Sequence, residues 1–196
     1  MKLEIIGDER VGKGGYLHLR RLRLRAVRDD GSRTAEGLWD YVERPMGLDA
    51  VVLALWRRRQ GRVEVLLRSG VRVPVLFGRP QPPTEPLFPE LVAGIVETGD
   101  DVGERAAAEA LEETGLTIAP ADVRPLGPPM YPTPGMCAEV FHFVHSEVAV
   151  DAVAVQPAGD GSIFEEGASL EWAVISEALT RCAHGRIRDL KTEIGL

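Results

Sequence analysis

Three glutamates, Glu109, Glu112 and Glu113, fall at i, i+3 and i+4 just before Gly115. Residues 103–114 read as a helix, with Ala107, Ala110, Leu111 and Thr114 forming a narrow, mostly small packing face. Gly115 is a natural C-cap, because glycine adopts the left-handed conformation that ends a helix without a Cβ penalty. So arranged, the acids oppose the helix they sit on. Like charges at that spacing cost about 0.2–0.5 kcal/mol per pair. Carboxylates at the negative end of the helix dipole cost about 0.3–1 kcal/mol each. Arg105, one turn before Glu109, offsets only part of this. A divalent cation would remove the conflict, and clustered oxygen donors without His or Cys suit Mg2+ or Mn2+ better than zinc. The bland alternative is a solvated acidic helix face.

The rest of the chain supplies a scaffold for that helix. Tyr16–Arg28 alternates, with Leu22, Leu24 and Ala26 on one side and Arg21, Arg23 and Arg25 on the other, which is a half-buried strand. A turn at Asp29–Ser32 lets residues 33–44 return as a second hairpin arm. Ala50–Trp56 is continuously apolar and reads as a strand covered on both faces. Val63–Val73 is a further strand, and the proline-rich 78–89 segment reads as a surface loop. Strands follow near 138–145 and 170–175, with an acidic, glycine-containing loop at 159–167 between them. The end of the chain, from Glu177, reads as two short helices broken at Gly185. Without a regular βαβ rhythm, α+β is the fold class, a mixed sheet rather than a doubly wound one.

Composition narrows the partners. A length of 196 residues fits one domain, or one domain with a small appendage. The net charge of −7 argues against a nucleic-acid partner, so none is expected. No apolar run approaches the length of a membrane span and Met1–Arg10 lacks a signal-peptide core, so no membrane partner and a cytoplasmic location are expected. Cys137 and Cys182 show neither zinc nor disulfide spacing.

The loop before the helix adds Gly94 and Gly99, then Asp100 and Asp101. Gly94, Asp100, Ala108, Glu109, Glu112, Glu113 and Gly115 match the spacing of the Nudix box, G-x5-E-x7-R-E-U-x-E-E-x-G-U. Asp100 stands where the box has glutamate and Ala108 where it has arginine. The chain thus resembles the Nudix hydrolases, and further residues resemble the ADP-ribose and nucleoside-diphosphate-sugar pyrophosphatase branch. These are Glu90–Gly94, Pro132, the 134–139 loop, Tyr41–Arg44, and the closing 185–192 segment.

The resemblance implies a Nudix fold, a mixed β-sheet sandwiched between helices, preceded by an N-terminal antiparallel β-hairpin region. Residues 1–47 would be that region, serving dimerisation and substrate contacts, and 48–196 the Nudix hydrolase domain. It implies Mg2+-dependent hydrolysis of ADP-ribose or a related nucleoside diphosphate sugar to a nucleoside monophosphate and a sugar phosphate. Glu109, Glu112, Glu113 and the Ala93 carbonyl would hold Mg2+, with Mn2+ an option. Glu139 would be the catalytic base, with Glu112 or Glu113 sharing that role. Arg72, Arg44 and Gly94 would contact substrate, and Trp39 or Tyr41 could stack on the base, though buried packing suits both. His142 and His145 read as structural. The partners would be a small nucleotide-sugar substrate and a second copy of the chain in a homodimer. Two alternatives stay open: a non-catalytic Nudix-fold ligand sensor, and a Nudix hydrolase for dinucleoside polyphosphates or modified nucleoside triphosphates. Arg105 could stand in for the missing box arginine.

Overall fold

The structure, a computed structural model, describes residues 1–14, 16–44, 47–85, 87–155 and 168–196. The acidic 159–167 loop expected from sequence lies wholly outside them. The fold grows from the apolar run at Ala50–Trp56, which forms the middle of strand β4 (Asp49–Arg59). Side chains alternate across a strand, so this run feeds two cores. Val51, Leu53 and Leu55 pack with Ala106 and Ala110 of helix α2 (Val102–Thr114). Val52 and Ala54 pack on the other face with Ala178 and Cys182 of helix α3 (Ile175–Ala183), and with Ile187. The sheet is therefore sandwiched between helices, as an α+β Nudix-like architecture requires.

Both edges of β4 are occupied. One edge pairs with β5 (Arg62–Val71) at residues 56–59 and with β7 (Val92–Val96) at residues 49–53, both antiparallel. The other edge pairs in parallel with β9 (Phe141–Glu147). Strand β6 (Leu87–Glu90) and β10 (Ser169–Val174) join β5, and the short β8 (Arg124–Pro125) joins β9, giving a seven-stranded mixed sheet. Helix α4 (Leu190–Gly195) closes the chain, and Gly185, at φ 67°, makes the break that separates it from α3.

A second, three-stranded antiparallel sheet is formed by β1 (Lys2–Lys13), β2 (His18–Val27) and β3 (Gly37–Glu43). The β2–β3 hairpin follows its alternation, but β1 was not legible as a strand. Its polar stretch at Asp8–Arg10 carries no apolar period, and cross-strand pairs such as Arg20–Asp8 and Arg25–Glu4 accompany it instead. This sheet meets the larger unit where the Val42 amide donates to the Met136 carbonyl at 2.9 Å.

Three boundaries differ from the sequence reading. The proline-rich 78–89 segment contains the start of β6, with Pro89 tolerated because among the described residues this strand pairs only with β5. Strand β5 ends at Val71, and Pro74 starts the short helix α1 (Val73–Phe77), where a missing N–H costs nothing. Residues 138–140 form a loop ahead of β9.

Candidate functional site

Local chemistry sets the ends of α2. The Asp101 carboxylate accepts from the Gly103 and Glu104 amides at 2.8 and 3.0 Å, which is N-capping. Gly115, at φ 69°, is the left-handed C-cap. Asp100, at the box's first acidic position, accepts from the Glu97 amide at 3.1 Å and so braces the loop.

The buried face of α2 is Ala106, Glu109, Ala110 and Thr114, so of the face read from sequence Ala110 and Thr114 are buried while Ala107 and Leu111 give way to Ala106 and Glu109. Leu111 is 53% exposed. The helix is turned so that Glu109 faces the sheet, where it lies directly over Gly94. A Cβ on Gly94 would fall 1.4 Å from a Glu109 carboxylate oxygen, so any other residue here would push the Glu109 side chain aside.

Each box glutamate has a polar partner. Arg105 Nη2 donates to Glu109 and, at 3.2 Å, to Glu112. Arg68 Nη1 lies 3.5 Å from Glu113, whose other oxygen accepts from the Ala93 amide at 3.4 Å. Burial pushes the Glu113 carboxyl up to about 7, only partly opposed by Arg68. Burial also raises Glu109, with Arg105 pulling the other way.

A second charged group adjoins the first. Glu90, almost fully buried, accepts from Arg72 Nε at 3.2 Å and from Lys191. Lys191 also reaches Asp189 at 2.9 Å, and Asp189 caps α4 through the Thr192 amide. Arg72 therefore sits past the end of β5 and is engaged by Glu90, rather than standing as a free strand arginine. Arg68, Glu90 and Lys191 were missed as site residues. The available signal was a charged residue inside the apolar VLLRSGV strand and just ahead of the buried Leu91–Val92.

Glu139 and Arg44 stand apart from this corner. Arg44 donates to Glu139 at 3.0 Å, to the Tyr16 hydroxyl at 2.9 Å, and to the Leu48 and Asp49 carbonyls at 2.8 and 3.1 Å. It clamps the start of β4 with the N-terminal region. Strands β7 and β9 flank β4 on opposite edges there, which separates them by two strand spacings, roughly 10 Å. Trp39 is 55% exposed and so is not the buried packing residue expected, while Tyr41 lies under the Arg20 guanidinium. His145 Nδ1 accepts from the Trp56 indole at 3.1 Å, and His142 Nε2 lies 3.4 Å from Asp49.

Hard oxygen donors are the right chemistry for Mg2+. Their arrangement is not. Arg105 bridges Glu109 and Glu112, and among the described residues no group of three acidic, His or Cys side chains is set to hold a cation. The residues as arranged do not fit a divalent ion.

No protein-family model and no curated protein matches the chain. Among solved structures, a crystal structure of an ADP compounds hydrolase aligns with 97% of this chain and 85% of its own, at TM-score 0.59 and 11% identity. T. brucei MERS1 bound to GDP aligns with 69% of this chain and 52% of its own, at TM-score 0.49 and 18% identity. T. brucei MERS1 bound to RNA aligns with 69% and 55%, at TM-score 0.47 and 19% identity. The chain thus spans about half the length of MERS1. The likeness establishes a Nudix-like fold and no particular branch of it. The expectation of no nucleic-acid partner is corrected, because a chain with some likeness to this one is held with RNA. Net charge was the wrong ground for that exclusion: it sums the whole chain and ignores how charge is distributed over the surface.

Proposed function

We propose that the chain is a Nudix-fold binding protein for nucleoside diphosphates or the sugars joined to them, with the diphosphate received at the β7–α2 corner. The observation that carries this is the internal neutralisation of the box: Arg105 on Glu109 and Glu112, and Arg68 beside Glu113. With Arg72 and Lys191 alongside, an anionic diphosphate meets mixed charge rather than bare acids. Gly94 admits the Glu109 carboxylate against the backbone and so keeps the Arg105-paired acid at this corner.

A second reading is favoured by the Glu113 carboxyl, which at about 7 exchanges a proton near neutral pH. In that reading the chain hydrolyses ADP-ribose or a related diphosphate sugar to a nucleoside monophosphate and a sugar phosphate. Glu113 takes the proton of the attacking water, and Glu139 acts only after leaving Arg44. Mg2+ would supply charge neutralisation on the phosphates, which demands that Arg105 first release its carboxylates.

The N-terminal sheet supports the homodimer. Cross-strand register puts Leu3, Ile5, Leu22, Leu24 and Trp39 on one face, with Leu3, Ile5 and Trp39 more than half exposed. Light scattering on a sizing column would give twice the monomer mass if that face pairs.

Calorimetric titration with ADP-ribose, GDP-mannose, UDP-glucose and GDP, with and without Mg2+, tests the two readings alongside a phosphate-release assay. Binding without turnover supports the first. Mg2+-dependent turnover that Glu113→Gln abolishes establishes the second. Neither binding nor turnover overturns both.

A further inference from the structure

The box spacing puts alanine at 108, yet Glu109 and Glu112 still share an arginine. Helix geometry explains how. At about 100° per residue, position 105 lies about 40° from Glu109 and about 20° from Glu112, so one side chain reaches both. Position 108 is about 100° from Glu109 and faces only Glu112 at close range. The Arg105 guanidinium makes both contacts through a single nitrogen, Nη2. Its Nε is buried and has no hydrogen-bond partner among the described residues. The guanidinium is therefore seated between two carboxylates and anchored by one of its three nitrogens.

We propose that Arg105 is a resident cation at the box, occupying the place between Glu109 and Glu112 that a divalent ion would take, so that the two compete. This accounts for the misfit between donor chemistry and donor arrangement. The oxygens suit Mg2+ or Mn2+, but their negative charge is already compensated from within the helix. Glu112, more exposed than Glu109, is the carboxylate that gives way first. Entry of the ion costs the Arg105 contacts, and retreat of the ion restores them. The proposal rests on this pairing and not on either reading of the ligand, since it concerns cation affinity alone.

Mn2+ titration, followed by electron paramagnetic resonance and by calorimetry, compares the full chain with Arg105→Gln and Arg105→Lys at one pH. Arg105→Gln is expected to bind Mn2+ about tenfold more tightly or better, the worth of one charge-assisted hydrogen bond. Arg105→Lys, whose shorter side chain carries its charge less far towards the two carboxylates, is expected between the two. Mn2+ should also raise the melting temperature of Arg105→Gln more than that of the unaltered chain. Equal or weaker Mn2+ binding by Arg105→Gln overturns the proposal, as does the absence of Mn2+ binding by all three proteins. Should Arg105→Gln fail to fold, Arg105→Lys decides, and an affinity no tighter than the unaltered chain's overturns it. Phosphate release is not read, so loss of the hydrolase reading leaves this result intact.

Discussion

Two regions of this molecule are built from the same ion-pair chemistry in opposite settings. In the N-terminal sheet, Arg21–Asp40 and Arg25–Glu4 lie across neighbouring strands and face water. At the β7–α2 corner, Glu109 and Glu90 are nearly buried, and Arg105, Arg72 and Lys191 meet them there. Exposed pairs are screened by solvent and salt, and ordering two long side chains offsets much of their attraction. Buried charges have lost their hydration, so removing one partner strands the other. The sheet's pairs therefore specify register, and the corner's pairs hold a site together.

The largest test of that contrast is Glu90→Ala. It removes the shared carboxylate under Arg72 and Lys191, and should destabilise by about 3 kcal/mol or more in urea denaturation. A loss as small as that of a surface substitution would erase the distinction. Next comes Gly94→Ala, whose methyl overlaps the Glu109 carboxylate. It should cost about 1–3 kcal/mol and displace Glu109, read by denaturation and by a changed Mn2+ titration.

Glu113 sharpens the contrast through pH. Its folded carboxyl sits at about 7 against 4.5 for the free group, so between those values the folded state binds more protons than the unfolded. Its stabilising contribution is full below pH 4.5 and is lost as pH rises through 7. The unaltered chain should thus lose on the order of 2 kcal/mol across that window, while Glu113→Gln shows a flatter profile. Identical slopes would place the titration elsewhere. Smallest of all is Arg21→Ala, which should leave the denaturation midpoint in moderate salt unchanged, because Arg21 and Asp40 stay solvated in the folded state.

Legibility in the sequence followed the range of the interaction. The limits of α2 were readable because Gly115 caps it through its own backbone and Asp101 lies within three residues of the amides it accepts from. The doubly covered β4 was readable because an unbroken apolar run has only one comfortable environment. The β1 strand was not, since its polar half pairs with partners more than ten residues away. The rotation of α2 was misread for a related reason. Apolar spacing points Leu111 inward, but the small Ala106 and Ala110 pack closer, and Gly94 makes room for Glu109.

The sequence by itself determined that three carboxylates gather at one helix end ahead of a capping glycine, because i, i+3 and i+4 spacing is a property of the helix alone. Arg105 on the same helix meets two of them, and only the tertiary structure decided that Arg68 would stand beside the third and which partners the outlying carboxylates would take. Lys191 meets Glu90 across 101 residues and Arg44 meets Glu139 across 95, and no local window of sequence contains both partners. The sheet brings them together, and in the low dielectric of the interior each charge must take whichever partner the fold delivers.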